Sequence, residues 1–302
     1  MMEYTSGSVQ DYYALMKPRV MSLVIFTSLV GLILSPSNIH PFLAVISICC
    51  IAIGAGASGV LNMWYDADID RIMKRTIGRP IPSGNIEKSE ALTYGLMMSF
   101  GSVFVMGVLI NWIAAIFLAF TIFFYAVVYT MWLKRRTTQN IVIGGAAGAF
   151  PPVIGWLSTN APLTIEPVLL FLIIFLWTPP HFWALAILTS NEYQKASIPM
   201  MPNIAGSQST IKQILFYSVI MSASALLPFY LGMVSVIYLL PVCILSAMFI
   251  GASIQLYKAK TKEKIEIYSK RLFAYSILYL FLVFTFFLID YLYIKYSWEL
   301  LI

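Results

Sequence analysis

Long apolar stretches alternate with short polar segments along nearly the whole chain. A helix needs about 20 apolar residues to cross a bilayer, and on that measure we predict spans at residues 20–36, 41–63, 92–110, 112–132, 140–158, 166–188, 213–232, 234–257 and 272–294. This pattern predicts an all-α fold, a polytopic membrane helical bundle of nine transmembrane helices that forms a single membrane-embedded domain over residues 1–302. Seven spans, with short neighbouring runs wrongly divided, is the alternative.

Composition supports a membrane protein, since 60% of the 302 residues are hydrophobic and only 11% are charged. If the N-terminus is cytoplasmic, 18 of the 19 lysines and arginines fall in cytoplasmic segments and only Lys295 lies outside. This asymmetry follows the positive-inside rule, so it predicts a cytoplasmic N-terminus and an external C-terminus. The net charge of +6 then reflects topology rather than nucleic-acid binding. With no evident cleavage site or transit peptide, we expect a bacterial plasma membrane location.

The densest polar interruption is the segment 62–84, NMWYDADIDRIMKRTIGRPIPSG. Asn62, Asp66 and Asp70 are spaced by four, so on a helix they share one face. That face is a row of oxygen ligands of the kind that divalent cations bind. Acidic residues near membrane depth are costly unless they serve a site. Asp68 falls on the opposite side, and we expect it to be solvated.

Basic residues follow the acidic row at once. Arg75 and Arg79 are spaced by four and lead into a Pro-Ile-Pro sequence, which resists helix continuation and can fold the segment back over the membrane mouth. We expect both arginines to contact phosphate, whereas Lys74 and Lys88 read as ordinary loop charges. Carboxylates beside cations predict a metal-diphosphate site at a cytoplasmic face.

The second long internal connection, residues 189–212, carries another polar group. Glu192 is its only acid and is a candidate for a second cation position, while Tyr193 and Lys195 are candidates for phosphate contact. A solvated helix end explains Glu192 and Lys195 equally well. His181 follows two prolines inside a predicted span; a buried, hydrogen-bonded histidine is the commoner outcome, and a polar group in a substrate pocket is the alternative.

Two further motifs lie between these connections. Lys134, Arg135 and Arg136 are interpreted mainly as topology signals, with anion recognition as the alternative. The small residues of the GGAAGA sequence at 144–149 predict close helix packing. They would equally clear space for a flat or bulky apolar ligand.

Together these motifs resemble a known family. Asn62, Asp66 and Asp70 look like the first aspartate motif of the intramembrane aromatic prenyltransferase superfamily. Within it, the chain resembles the protohaem IX farnesyltransferase (haem O synthase) family from about residue 14 to 206, while the last three spans match only in hydrophobic character. The segments that carry the resemblance are KPRV, DRIMKRTIGRPIPSG, WLKRRT, GGAAGAFPPVIGW, WTPPHFWALAI and EYQKASIPMMP.

The resemblance implies a transferase with Mg²⁺ as cofactor, farnesyl diphosphate as donor and haem B as acceptor. Its products would be haem O and diphosphate, in the biosynthesis of haem A for terminal oxidases. It implies an active site that faces the cytoplasm, the lipid bilayer as surroundings and a downstream haem A synthase as a candidate partner, with no nucleic acid.

The same resemblance assigns the site residue by residue. In the second motif the wider superfamily usually has two aspartates spaced by four, where this chain has Asn191 and Lys195, so a symmetrical second Mg²⁺ site is in doubt. The haem propionates are expected to seek basic residues such as Lys17 or Arg19. The candidate catalytic residues are Asp66, Asp70, Arg75 and Arg79; the candidate metal ligands are Asn62, Asp66, Asp70 and Glu192; the candidate substrate-binding residues are Asn62, Lys17, Arg19, His181, Tyr193 and Lys195.

Two other functions compete with this one. The first is a prenyltransferase for a quinone precursor or chlorophyllide, which the acidic row alone does not distinguish. The second, from another class, is a secondary transporter of an anionic metabolite. Transporters place paired charges near the membrane midplane, whereas here the charges gather at one face, which favours the enzyme.

Overall fold

The computed structural model of the protein describes residues 7–299, and every regular element in that range is a helix. Eight spans within it are long and apolar enough to cross a membrane, and a bent pair at the start of the chain gives a ninth if its two parts count as one. The pair is α1 (Val9–Leu15) and α2 (Pro18–Leu34), which meet at 55°. The other helices are α3 Pro41–Tyr65, α4 Ala67–Asp70, α5 Lys88–Ile110, α6 Trp112–Leu133, α7 Asn140–Ala149, α8 Pro151–Leu157, α9 Ile165–Leu188, α10 Ser190–Lys195, α11 Met201–Ile204, α12 Gly206–Tyr230, α13 Val236–Tyr257 and α14 Lys262–Glu299.

The helices confirm the all-α prediction, and each predicted span coincides with a helix or, for residues 140–158, with α7 and α8 together. The differences lie at the ends. α12 begins at Gly206, although the apolar run begins at 213, and α14 begins at Lys262 rather than at 272. Hydropathy marks the part of a helix that suits lipid, whereas backbone hydrogen bonding continues beyond it. The seven-span alternative gives too few crossings for the described residues.

Proline and short polar side chains fix several helix starts. α2 and α3 each carry proline at the first helical position, where the missing N–H costs no hydrogen bond. α6 begins after Asn111, whose side-chain oxygen accepts from the backbone N–H of Ala114 at 2.8 Å. α13 is capped from another span, because the buried Asp290 of α14 accepts from the backbone N–H of Ser235 at 3.0 Å. These contacts tie neighbouring spans together.

Glycines let α2 and α8 cross with their backbones in contact. A Cβ atom on Gly31 would lie 2.0 Å from the carbonyl oxygen of Pro152, and one on Gly155 would lie 2.1 Å from that of Ser28. No side chain fits at either position. Because lipid provides little hydrophobic drive for helix association, close packing of this kind holds membrane bundles together. Gly144 and Gly145 of the GGAAGA sequence also pack closely, since Cβ atoms on them would lie 2.2 Å from Cδ2 of Tyr129 and 2.7 Å from Cγ2 of Thr178.

The outer surface of the bundle is apolar. Large side chains such as Phe100 and Tyr230 are more than 70% exposed, while Trp183, Phe249 and Tyr279 are fully buried. A soluble protein rarely exposes apolar side chains on this scale, but a bilayer solvates them. The connections 65–88, 133–140 and 188–206 lie at one end of the bundle, together with the bend between α1 and α2. The polar site forms at that end.

Candidate active site

The acidic row forms where α3 ends. Asp66 has backbone angles of φ −84° and ψ 11° and separates α3 from the short helix α4. Helical spacing nevertheless continues through the break, since the N–H of Asp66 donates to the carbonyl of Asn62 at 2.9 Å and that of Asp70 to the carbonyl of Asp66 at 2.8 Å. Asn62, Asp66 and Asp70 are 4%, 0% and 2% exposed. The spacing of four therefore produces one buried polar row, and Nδ2 of Asn62 donates to Oδ2 of Asp66 at 2.9 Å.

Each member of the row is paired with a cation from a different part of the chain. Nζ of Lys17, at the bend between α1 and α2, donates to Oδ1 of Asn62 at 2.6 Å. Nζ of Lys134, just after α6, forms an ion pair with Oδ2 of Asp66. Arg79 binds Oδ2 of Asp70 at 2.7 Å. Buried carboxylates require such partners, because an unpaired charge out of water is very costly.

The segment after α4 folds back over the row, as its prolines predict. The hydroxyl of Thr76 donates to the carbonyl of Asp70 at 3.0 Å, and Ile81 and Ile86 are buried in a small apolar cluster with Leu15. This packing holds Arg79 beside Asp70. Arg75, the other predicted phosphate contact, is exposed.

Asp68 is 62% exposed in its side chain, yet it is not simply solvated as expected. It receives two hydrogen bonds from Arg135, of 2.9 Å and 2.8 Å, and the Arg135 guanidinium holds the pKa of Asp68 below its usual value. The same guanidinium lies 3.5 Å from Oδ1 of Asp66. The WLKRRT segment therefore supplies Lys134 and Arg135 to the site, where sequence interpretation gave them mainly a topological role.

The end of α6 has π-helical hydrogen bonding over Phe124–Leu133. The N–H of Lys134 donates to the carbonyl of Tyr129 at 2.8 Å, and the hydroxyl of Thr130 to that of Tyr125 at 2.8 Å, both five residues back. Thr130 in turn accepts from Nδ2 of Asn62 at 3.1 Å. π-helical turns often occur at functional sites, and this one brings Thr130 and Lys134 to the acidic row. Sequence reasoning missed Thr130, and the aromatic and hydroxyl residues just before the basic triplet were the available signal.

The second polar connection approaches the end of α6 through a tyrosine. Tyr193 is half-buried and close enough to Tyr129 for the two phenols to interact electrostatically. Oε2 of Glu192 is buried without a hydrogen-bond partner, whereas Lys195 is exposed. Within residues 7–299, no three acidic, histidine or cysteine side chains lie close enough together to hold one metal ion. Glu192 thus does not join Asp66 and Asp70 in a three-acid cluster.

Two other predicted residues lie apart from the row. His181 is buried between the rings of Trp177 and Phe273, with centroid distances of 4.2 Å and 4.7 Å, and its Nδ1 is 2.6 Å from the hydroxyl of Ser276. These contacts join α9 to α14, as expected of a packing histidine. Arg19 is exposed in the first turn of α2.

The row suits a magnesium ion chemically. It offers one amide and two carboxylates, which are the hard oxygen donors that Mg²⁺ prefers, and Oδ1 of Asp66 is buried without a hydrogen-bond partner. The cations around it suit phosphate oxygens. Fold and site together define a polytopic helical membrane protein with a buried row of one amide and two carboxylates, surrounded by cations, at one end of its bundle.

Comparison with known sequences gives the family. The chain belongs to the UbiA prenyltransferase family, whose profile matches residues 24–278. The protein named "Protoheme IX farnesyltransferase" from Rhizobium johnstonii is 56% identical over 288 residues, which are 95% of this chain and 91% of the relative. The equally named protein from Parvibaculum lavamentivorans is 54% identical over 284 residues, or 94% of this chain and 89% of that relative.

Solved structures share the fold. A structure described as digeranylgeranylglyceryl phosphate synthase has a TM-score of 0.75 at 21% identity, covering 91% of this chain and 96% of its own. A UbiA homolog from Archaeoglobus fulgidus, described as bound to GPP and Mg²⁺, has a TM-score of 0.62 at 17% identity, covering 89% of this chain and 99% of its own. At identities of 21% and 17%, these similarities show a shared fold and nothing beyond it.

Proposed function

We propose that the protein transfers the farnesyl group of farnesyl diphosphate to a vinyl group of haem B, giving haem O and diphosphate. The observation that carries this proposal is the 56% identity, over 95% of the chain, to a relative named for that reaction. The C1–O bond of the donor breaks with its electron pair going to diphosphate, and C1 bonds to the terminal vinyl carbon. Water adds to the other vinyl carbon and loses a proton.

The residues around the row have electrostatic roles in this reaction. Asn62, Asp66 and Asp70 would hold Mg²⁺, which when bound stabilises the negative charge of the departing diphosphate. Lys17, Lys134 and Arg79, which already lie at the row, would contact phosphate oxygens, and so would the exposed Arg75. Positive groups fixed where negative charge develops are usually the largest contribution to catalysis of this type.

The apolar bundle has the complementary role. Departure of diphosphate leaves an allylic cation that water would quench, and helices packed as tightly as α2 and α8 exclude water from their contact. The donor's farnesyl chain suits an apolar interior, while its diphosphate suits the charged end. The acidic row therefore lies where the polar head and the apolar tail of one substrate separate.

The orientation and location follow from charge. In the predicted nine-span topology, 18 of the 19 lysines and arginines fall on one side of the membrane, and the segments that surround the row are among them. We propose that the end of the bundle with the row faces the cytoplasm of a bacterium, with the whole chain forming one domain in its plasma membrane and the C-terminus outside. A haem A synthase that uses the product would then receive haem O within the bilayer.

The remaining predicted residues have roles in acceptor or second-site binding. Glu192, with its unpartnered buried oxygen, would ligate a cation, and Tyr193 and Lys195 would contact phosphate. Arg19, which is exposed, would pair with a haem propionate, since Lys17 is already bound to Asn62 of the row. For His181 we propose a packing role between α9 and α14 rather than a contact with the substrate.

The experiment is an incubation of purified protein with farnesyl diphosphate, Mg²⁺ and haem B, in parallel with 4-hydroxybenzoate or chlorophyllide as acceptor. We expect a prenylated product, identified as haem O by mass spectrometry, only in the incubation in which haem B is the acceptor. A prenylated product formed only from hydroxybenzoate or chlorophyllide would reassign the acceptor. Uptake of an anion into vesicles without any prenylated product would contradict the enzyme.

A further inference from the structure

Arg135 is held in one orientation by the junction between α3 and α4. Its two terminal nitrogens donate to Oδ2 and Oδ1 of Asp68 at 2.9 Å and 2.8 Å, and one of them lies 3.4 Å from the carbonyl oxygen of Tyr65. The guanidinium carbon lies 4.8 Å from the centre of the Tyr65 ring. A planar guanidinium that is bound by both of its ends and stacked on a ring has little freedom to rotate.

The same guanidinium faces the buried row. Its NH2 group lies 3.5 Å from Oδ1 of Asp66, an oxygen that is buried and has no hydrogen-bond partner. Since charge-assisted hydrogen bonds are about 2.7–2.9 Å long, Arg135 stands beside Asp66 without closing on it. Nε of Arg135 is also buried and unpartnered. Arg135 therefore places a fixed positive charge beside the row, and Oδ1 of Asp66 keeps an unused capacity to accept a hydrogen bond or a metal ion.

We infer that Asp68 is a positioning residue of the diphosphate site and acts through Arg135. The inference rests on the proposed function, because it requires an anion to bind beside Asp66. Asp68 keeps the Arg135 guanidinium against Tyr65. The positive charge of Arg135 and its unpartnered Nε–H are then in place before the phosphate binds. Without Asp68, Arg135 is a long side chain free to turn towards solvent, and ordering it on binding costs affinity.

The sign of one measurement separates this role from plain electrostatics. Asp68→Asn removes a negative charge close to an anion site, so long-range electrostatics alone makes diphosphate bind more tightly. Loss of a positioning contact makes it bind more weakly. A surface ion pair with no function changes the affinity very little, since exposed pairs contribute little energy.

The test is the affinity of the purified full chain in detergent for inorganic diphosphate with Mg²⁺, by isothermal titration calorimetry. Asp68→Asn is expected to weaken binding about three- to tenfold, with KM for farnesyl diphosphate rising more than kcat falls. Asp68→Glu is expected to recover most of the affinity. In the Arg135→Met background, Asp68→Asn is expected to cause no further loss, because coupled residues are not additive.

Glu263→Gln, an exposed acid in the first turn of α14, is the matched control for charge removal and is expected to bind as the wild type does. Tighter or unchanged binding by Asp68→Asn, or an equal loss in both backgrounds, would overturn the inference. If Asp68→Asn does not fold, Arg135→Lys replaces it, since lysine keeps the charge without the two-pronged contact and is expected to show the same weakening. A wild-type chain that binds no diphosphate would overturn the proposed function itself.

Discussion

Nζ of Lys17 donates to Oδ1 of Asn62 over 2.6 Å, although 45 positions separate the two residues. Lys17 has φ 55°, in the left-handed region that residues other than glycine seldom adopt. Such a backbone persists only where its surroundings fix it. Gly59 of α3 lies under the lysine, with its Cβ position 3.5 Å from the Lys17 Cδ atom. The bend between α1 and α2 thus delivers an ammonium group to the acidic row.

Replacing Lys17 tests this delivery. Lys17→Met keeps most of the length of the side chain and removes its charge, so the proposed phosphate site loses one cation and Asn62 loses one partner. Hydrogen bonds to charged groups contribute roughly 1.5–3 kcal/mol, so we expect KM for farnesyl diphosphate to rise about tenfold or more. Lys212→Met, on the exposed face of α12, is the control and should leave KM unchanged. An unchanged KM for Lys17→Met would show that Lys17 does not contact the diphosphate.

Asp66 accepts a hydrogen bond from Asn62 and faces the charges of both Lys134 and Arg135. Asp66→Asn keeps the shape of the side chain, removes a proposed metal ligand, and leaves Lys134 without its ion-pair partner. We expect turnover to fall on the order of a hundredfold or more, as when a fixed electrostatic group of an active site is lost. Diphosphate binding measured with Mg²⁺ should weaken in parallel. Wild-type turnover in this variant would contradict the assignment.

Metal removal gives an independent measurement. We expect EDTA to abolish haem O formation and added Mg²⁺ to restore it, because two carboxylates and an amide are the donors that the row offers. In Asp70→Asn, half-maximal activity should require at least about tenfold more Mg²⁺, the change expected from losing about 1.4 kcal/mol of binding. Activity that survives complete chelation would exclude a metal role for the row.

The spans and the acidic row could be predicted because their signals are local. Twenty apolar residues must be helical in lipid, where every backbone polar group needs an internal partner. The spacing of Asn62, Asp66 and Asp70 survives the break at Asp66 because the backbone hydrogen bonds continue across it. The fold-back of Arg79 followed similarly from adjacent prolines.

The role of the two cations that follow α6, Lys134 and Arg135, could not be predicted in the same way. Lys134 and Arg135 meet Asp66 and Asp68 across about 67 positions of sequence, and the positive-inside rule already explains basic residues at that place. The same basic residues thus mark the topology and pair with the acidic residues, and only the folded structure reveals the second role. Asp68 was assigned to solvent from its helical face, which is correct for exposure but cannot reveal a partner from another span.

His181 allows a choice between packing and substrate contact. Its ring lies between Trp177 and Phe273 and reaches Ser276, so His181→Ala leaves a cavity between α9 and α14. We expect this to destabilise the protein by roughly 2–5 kcal/mol, the range for large-to-small changes in a core. The melting temperature in detergent should fall. KM for haem B, which does not depend on the amount of folded protein, should stay the same. A raised KM at unchanged melting temperature would instead place His181 in the acceptor pocket.

The GGAAGA sequence contains its own matched pair for the last prediction. A Cβ atom on Gly144 would lie 2.2 Å from Cδ2 of Tyr129, whereas one on Gly148 would have nothing within 4 Å. Gly144→Ala must therefore displace Tyr129, whose carbonyl holds the N–H of Lys134 in the π-helical turn. Overpacking of this kind costs about 1–3 kcal/mol, and the displacement should also weaken diphosphate binding with Mg²⁺. Gly148→Ala should leave both the melting temperature and the binding unchanged. Equal behaviour of the two variants would show that Tyr129 does not connect the packing of α7 to the acidic row.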